Sequence, residues 1–158
     1  MRKKAIQALG LLIPISSDDI FSALVGYVLQ ALKAQVGNTT ADTHTVVQCT
    51  AMVCREGGER LGGAINEMLP LIKKLAAITD DEDEEDAMCE RVEGCIQVFE
   101  ALAYRCPRAL GANTEELLTM CLEYIEYDPN YNYDHADDDD EGGDMVRPTV
   151  GINRRFFF

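Results

Sequence analysis

The chain lacks most of what a catalytic or metal-binding site requires. Its 158 residues include only two histidines, His44 and His135, and no two of its six cysteines have Cys-x-x-Cys spacing. A Ser-His or Cys-His pair would have to use one of those histidines. His44 is predicted to lie on the surface of a helix, and His135 falls in an acidic tract. We therefore predict no catalytic residues, no metal and no cofactor.

Basic residues are scarce as well. Lysine and arginine number 14 against 28 acidic residues, which gives a net charge of −14. Such a chain repels nucleic-acid phosphates and anionic lipids, so neither is an expected partner. No apolar run approaches the roughly 20 residues that a membrane span needs. These features predict a soluble intracellular protein.

The cysteines and glycines are assigned structural roles. All six cysteines lie in or beside apolar helical stretches, which predicts buried thiols in a reducing compartment: Cys49, Cys54, Cys89, Cys95, Cys106 and Cys121. The pairs Gly57-Gly58 and Gly62-Gly63 lack the Lys-Ser/Thr ending of a P-loop. They are expected to end one helix and begin the next.

Strand signals are absent, whereas helical periodicity repeats along the chain. Three segments share one amphipathic layout: Arg2 to Ile15, Asp42 to Glu56, and Glu90 to Pro107. Aligned on an apolar residue followed by glutamine, they are spaced by 41 residues (6 to 47) and 49 residues (47 to 96). Periods of roughly 40 to 47 residues are typical of HEAT or armadillo units. The pattern predicts an all-α HEAT-repeat solenoid, an α-α superhelix, with the three segments as its inner helices.

Outer helices are predicted between the inner ones. The first begins at Ser17-Asp18-Asp19, the second follows Gly62-Gly63 and contains Pro70, and the third begins near Thr114-Glu115-Glu116, where side-chain oxygens can cap the helix. Residues 1–127 are thus expected to form about three helix pairs, incomplete at both ends. Both ends should expose apolar faces, as in a piece of a longer repeat protein. Residues 128–158 are predicted to be an acidic, irregular and disordered tail.

Two acidic tracts interrupt the pattern, Asp80 to Asp86 and Asp134 to Asp144. Neither has the spacing of an EF-hand loop, so solvated spacers are the leading interpretation. Weak cation association and docking of a basic patch on a partner remain open.

A candidate contact surface follows from the repeat register. Equivalent positions on the inner helices form two columns, Lys3 with His44 and Glu93, and Gln7 with Gln48 and Gln97. Inner helices line the concave face of solenoids, where partners commonly bind. Ordinary solvent exposure is the alternative for each residue taken alone. As a set, the six residues are the predicted partner-binding site.

A further sequence feature links the chain to a known family. The string from Cys121 to Asp134, which contains Tyr-Asp-Pro-Asn-Tyr-Asn-Tyr-Asp and precedes an acidic run, closely resembles the cullin-associated and neddylation-dissociated proteins. Residues 2–10, 96–100 and 105–107 recur in the same order. The resemblance covers about residues 1–144 and corresponds to an internal part of the family's N-terminal half. It departs at Pro148, where the family continues with a basic helix.

The resemblance implies a regulator of cullin-RING ubiquitin ligases in the cytoplasm and nucleus. Family members wrap around a cullin that lacks its ubiquitin-like modifier and promote exchange of substrate receptors. Their N-terminal half embraces the cullin's C-terminal region and its RING subunit, so these are the implied partners. The C-terminal repeats that contest the receptor site are not present in this sequence. The alternative is an importin-like or generic HEAT scaffold that binds a basic protein partner.

Overall fold

The helices follow the predicted alternation of inner and outer elements. The computed structural model describes residues 2–36, 42–78 and 85–126, and all regular structure within these ranges is helical. The α-helices there are α1 (Arg2–Leu12), α2 (Asp18–Val36), α3 (Thr43–Gly57), α4 (Ala64–Leu75), α5 (Glu85–Arg105), α6 (Pro107–Leu110) and α7 (Thr114–Glu126). The predicted all-α, HEAT-type fold is confirmed for this part of the chain. The acidic residues 80–84 and the predicted tail 128–158 lie outside the described residues.

The helices pack in two rows. Helix α3 lies between α1 and α5 in the inner row, and α2 packs against α3 and α4. Helix α7 joins the outer row, since Lys73 of α4 forms a 2.5 Å ion pair with Glu116 of α7. The first repeat is therefore α1 with α2, the second α3 with α4, and the third α5 with α7. Met1–Tyr127 forms one compact unit, and the domain boundary at residue 127 stays a prediction.

Helix α2 shows how the sequence specifies an outer helix. The hydroxyl oxygen of Ser17 accepts a 3.4 Å hydrogen bond from the backbone N–H of Ile20, which confirms the predicted N-terminal cap. The buried residues then recur at intervals of three or four: Phe21, Val25, Val28 and Leu32. This spacing places them on one side of a helix, and that side faces the core.

Two details of the helix starts differ from the predictions. Helix α5 begins at Glu85, not at Glu90, so the last residues of the first acidic tract belong to the helix and not to a loop. Acidic residues are favoured in the first turn because the N-terminal end of a helix carries partial positive charge. The predicted cap at Thr114 is also wrong. Its hydroxyl instead donates a 3.2 Å hydrogen bond to the carbonyl of Leu110 in the preceding turn.

Two glycines end helical segments as predicted. Gly58 follows α3 with φ of 52°, and Gly62 follows the 3-10 turn Gly58–Leu61 with φ of 49°. Side chains with a Cβ rarely adopt positive φ, so glycine is needed at both positions. The chain can therefore reverse direction between α3 and α4 within a few residues.

Arg60, which precedes α4 in the second repeat, binds the turn between α1 and α2 in the first repeat. Arg60 donates hydrogen bonds of 3.0 Å to the carbonyls of Ile13 and Ser16, and it pairs with Asp18 at 2.9 Å. Its guanidinium carbon lies 4.4 Å from the centre of the buried Phe21 ring. The planar cation thus satisfies backbone oxygens at its edge and contacts an aromatic ring with its face.

A second group of side chains satisfies the C-terminal end of α4, and we call it the α4 carbonyl clamp. Arg91 of α5 donates to the carbonyls of Leu75 and Ala77, and the hydroxyl of Tyr124 on α7 donates to the carbonyl of Ala76. Arg91 is 7% exposed. The last carbonyls of a helix lack partners within the helix, and they carry partial negative charge that a cation stabilises. Burial also raises the pKa of Tyr124 to about 12, so its hydroxyl keeps the proton that it donates.

The cysteines are free thiols, and the prediction of burial is confirmed for three of them. Cys54, Cys95 and Cys106 are buried, whereas Cys49, Cys89 and Cys121 are partly exposed. Burial raises the pKa of both Cys54 and Cys95 to about 12. These two thiols therefore stay protonated at neutral pH, and they serve as small apolar core side chains.

We expect iodoacetamide at pH 8 to alkylate Cys54 and Cys95 at least about a hundredfold more slowly in the folded chain than in urea. The thiolate is the reactive species, and a raised pKa lowers its population while burial blocks access. Peptide mass spectrometry would give the rate at each cysteine, with the partly exposed Cys121 as the internal control. Equal labelling of Cys54 and Cys121 in the folded chain would contradict this prediction.

Apolar side chains are exposed at both edges of the helical unit, as predicted. The first repeat exposes Leu12, Ile20 and Tyr27, and the third exposes Leu118, Leu122 and Ile125. A groove of about 390 Å³ also opens between α5 and α7 beside Phe99, Leu117 and Leu118. The corresponding faces inside the unit are covered, because α3 packs on α1 and α5 packs on α3.

Candidate protein-binding face

The inner helices bring four of the six predicted contact residues around one depression. Lys3 and Gln7 of α1, Gln48 of α3 and Gln97 of α5 line a cavity of about 140 Å³. The remaining lining residues are Ile6, Ala51, Met52 and Arg55. The glutamine column thus runs across three neighbouring helices, as the repeat register indicates. Its amides offer both donors and acceptors to a protein backbone.

The other two predicted residues do not line this depression. His44 is partly buried, and its Nδ1 lies 3.0 Å from the carbonyl oxygen of Glu90, so it joins α3 to α5. Glu93 is exposed and accepts a 3.2 Å hydrogen bond from the Gln97 side chain. Glu93 therefore orients a residue of the depression, whereas His44 contacts a neighbouring helix. Whether any of the six residues contacts a partner stays a prediction.

A second depression adjoins the first at Arg55. It has a volume of about 410 Å³ and lies where α3 and α5 end, and its lining residues are Arg55, Glu56, Glu100, Ala101, Tyr104 and Arg105. The Nε of Arg105 donates a 2.8 Å hydrogen bond to the carbonyl of Arg55. Tyr104 is 81% exposed, which is unusual for a large aromatic side chain. The two depressions together form what we call the inner face.

These additional residues could have been found from the repeat register. Arg55 follows Gln48 by seven residues, and Tyr104 follows Gln97 by seven. Seven residues are about two turns of helix, so both positions continue the glutamine column on the same side of α3 and α5. The sequence prediction stopped at the glutamines and so missed them.

Charge is distributed unevenly along the chain, and the first acidic tract, residues 80–86, runs into the start of α5. Residues 2–79 and 87–126 contain 13 acidic and 11 basic residues, whereas residues 80–86 and 128–158 contain the other 15 acidic residues and only 3 basic ones. The net charge of −14 therefore comes mostly from the acidic tracts. The charges that lie near the inner face, and not the net charge of the whole chain, therefore determine which charged groups this face attracts.

Other kinds of site find no support in the described ranges. Within them, no group of three or more histidine, cysteine and acidic residues could hold a metal ion. None of the helices there is long and apolar enough to cross a membrane. The fold and the columns of polar residues instead define a HEAT-type helical-repeat protein, a class whose inner helices commonly form a binding surface.

Comparison with known proteins identifies the family. Cullin-associated NEDD8-dissociated protein 1 of Drosophila melanogaster is 34% identical over 145 residues, which cover 92% of this chain and 11% of that protein. Cullin-associated NEDD8-dissociated protein 2 of Rattus norvegicus is 32% identical over 135 residues, which cover 85% of this chain and 10% of that protein. No protein-family model matches the chain. The chain belongs to the family of cullin-associated NEDD8-dissociated proteins, and it spans about a tenth of the length of these relatives.

Proposed function

We propose that the chain is a non-catalytic segment that binds a cullin through its inner face. The observation that carries this proposal is the 34% identity over 145 residues to a relative whose name describes association with cullins. Binding through the inner face is supported by the depression in which Lys3 and the three aligned glutamines meet. The proposed partners are a cullin without its ubiquitin-like modifier and the RING subunit of that cullin.

The role of the whole protein follows from the same proposal. A segment that holds an unmodified cullin would contribute to controlling the assembly of cullin-RING ubiquitin ligases and the exchange of their substrate receptors. Such a segment would act by binding and not by catalysis. We propose that it does so in the cytoplasm and nucleus. The raised pKa values of Cys54 and Cys95 are in keeping with this role, because they describe core thiols and not nucleophiles.

A pull-down with the 158-residue chain tests the proposal directly. An unmodified cullin-RING pair should be retained, and the same pair carrying its ubiquitin-like modifier should be retained much less. Equal retention of both forms would refute recognition of the unmodified state. Retention of neither form would refute cullin binding by this chain and would favour a generic scaffold with another partner.

Replacing Gln7, Gln48 and Gln97 together by alanine is expected to weaken binding of the unmodified cullin-RING pair about tenfold. A hydrogen bond contributes about 1 kcal/mol to binding. We expect the triple variant to lose between one and two such bonds in total, which corresponds to about a tenfold change in the dissociation constant. Isothermal titration calorimetry would give the dissociation constants. Gln30→Ala on the exposed side of α2 is the control, and its affinity should equal that of the unsubstituted chain. An unchanged affinity in the triple variant would show that the glutamine column is not the contact surface.

A further inference from the structure

The second depression of the inner face holds two arginines without carboxylate partners. No acidic group among the described residues lies within salt-bridge distance of Arg55 or Arg105, although Glu56 and Glu100 line the same depression. Four other cations of the described residues, Arg2, Lys33, Arg60 and Lys73, do have acidic partners. The inner face thus keeps two cations available next to each other.

The position of one of these cations is fixed by the fold. The Nε of Arg105 donates to the carbonyl of Arg55, which holds the guanidinium over the end of α3 while its two terminal nitrogens are left for other acceptors. Its guanidinium carbon also lies 5.8 Å from the centre of the Tyr104 ring. A guanidinium that is oriented in advance loses less entropy when a carboxylate binds.

Tyr104 supplies the apolar part of the same surface. Its ring is 81% exposed and lines the depression together with Ala101. An aromatic ring beside arginines is a combination that is enriched at protein interfaces, because the ring buries a large area and arginine binds carboxylates through paired hydrogen bonds. The depression therefore offers a charged site and an apolar site within one cavity of about 410 Å³.

We propose that Arg55, Tyr104 and Arg105 form a docking site for an acidic segment of a partner protein, with carboxylates bound by the two arginines and an apolar side chain packed on the tyrosine. This inference rests on the proposed function for the choice of face, and it adds the chemistry of the segment that the face binds. Outside the two acidic tracts the charge is nearly balanced, and salt screens distant charges, so the charges nearest the depression act most strongly on a bound segment.

A peptide is favoured over a nucleic acid as the occupant. A nucleic-acid backbone carries a negative charge at every nucleotide, and a protein binds it with many lysines and arginines that follow the backbone. Only two cations line this depression, and Glu56 and Glu100 lie at its walls. A short acidic segment can place a few carboxylates at the arginines and avoid those two glutamates.

The test uses the 158-residue chain and a short fluorescein-labelled peptide in which glutamates flank one leucine. Fluorescence anisotropy should show binding of this peptide, weaker binding in higher salt, and little binding of the matched peptide with glutamine in place of glutamate. Arg55→Glu should weaken binding of the acidic peptide about tenfold, since it replaces an attraction with a repulsion. Tyr104→Ala should weaken it as well, because the leucine loses its contact.

Matched controls distinguish a local site from general electrostatics. Lys74→Glu makes the same charge change on the exposed side of α4, and Tyr27→Ala removes another largely exposed tyrosine, from α2. Both controls should bind the acidic peptide as the unsubstituted chain does. Equal binding of the two peptides, equal loss in Arg55→Glu and Lys74→Glu, or efficient displacement by a single-stranded RNA oligonucleotide would each overturn the proposal. The peptide assay contains no cullin, so failure of cullin binding and failure of this docking site are separate results.

Discussion

Replacing Arg91 by leucine is expected to lower the free energy of unfolding by about 3 kcal/mol, the largest effect that we predict for a single side chain. The substitution removes the guanidinium from the α4 carbonyl clamp and leaves the carbonyls of Leu75 and Ala77 without that donor. A buried acceptor without a partner costs about 1 to 3 kcal/mol. The acceptor of Leu75 is buried and that of Ala77 only partly buried, so the second carbonyl adds less to the cost, and the apolar gain from leucine offsets part of the total.

Urea unfolding followed by far-UV circular dichroism would measure this change. Arg108→Leu is the matched control, because Arg108 is exposed on α6 and its replacement leaves no buried acceptor. The control should change the unfolding free energy by less than about 0.5 kcal/mol, as surface substitutions commonly do. A similar small change in Arg91→Leu would mean that the clamp does not stabilise the end of α4.

Replacing Gly57 by alanine is expected to cost about 2 kcal/mol of stability. Gly57 has helical φ and ψ angles of −78° and −36°, so alanine fits its backbone conformation. The difficulty is steric, because a Cβ at this position would meet the Cζ atom of Phe21 and lie 2.8 Å from Cε2. The ring cannot easily move, since it is 2% exposed and Arg60 lies against its face. Forcing an extra carbon into such a packed core typically costs 1 to 3 kcal/mol, hence about 2 here.

Two other glycines provide the comparison for Gly57. A Cβ at Gly10 would lie 2.5 Å from the Sδ of Met52, which is the far part of a flexible side chain that can turn away. A Cβ at Gly26 meets nothing within 4 Å. Alanine stabilises a helix interior by up to about 1 kcal/mol relative to glycine, so Gly26→Ala should stabilise and Gly10→Ala should be close to neutral. The same loss for all three variants would show that Phe21 does not limit the space at Gly57.

Helical periodicity together with cap and glycine signals predicts most of the fold of the described residues. Helices α1, α3 and α5 were expected from one aligned pattern, and α2 was expected from its cap and from the spacing of Phe21 and Val25. The sequence places the start of α5 too late, because a run of acidic residues is compatible both with a solvated loop and with the first turn of a helix. The amino-acid composition of this acidic run does not decide between a loop and a helix start.

The candidate site was predicted only in part. The register brought together Gln7, Gln48 and Gln97, and the structure places all three at one depression. The register also extends the column to Arg55, but it gives no reason to expect that Arg55 and Arg105 lack carboxylate partners. Their availability depends on which carboxylates lie nearby, and that depends on the packing of α3 against α5. Tertiary contacts between residues distant in sequence were needed to identify them.

In the described residues, the hydrogen bonds from arginines to backbone carbonyls of other repeats share one direction along the chain. Arg60 reaches back to Ile13, Arg91 reaches back to Leu75, and Arg105 reaches back to Arg55. In each case the cation is encoded after the carbonyl that it satisfies. Because a ribosome releases the N-terminal part first, each repeat emerges before the side chain that completes its backbone hydrogen bonds. Synthesis of one repeat therefore supplies donors for backbone carbonyls of the repeat before it.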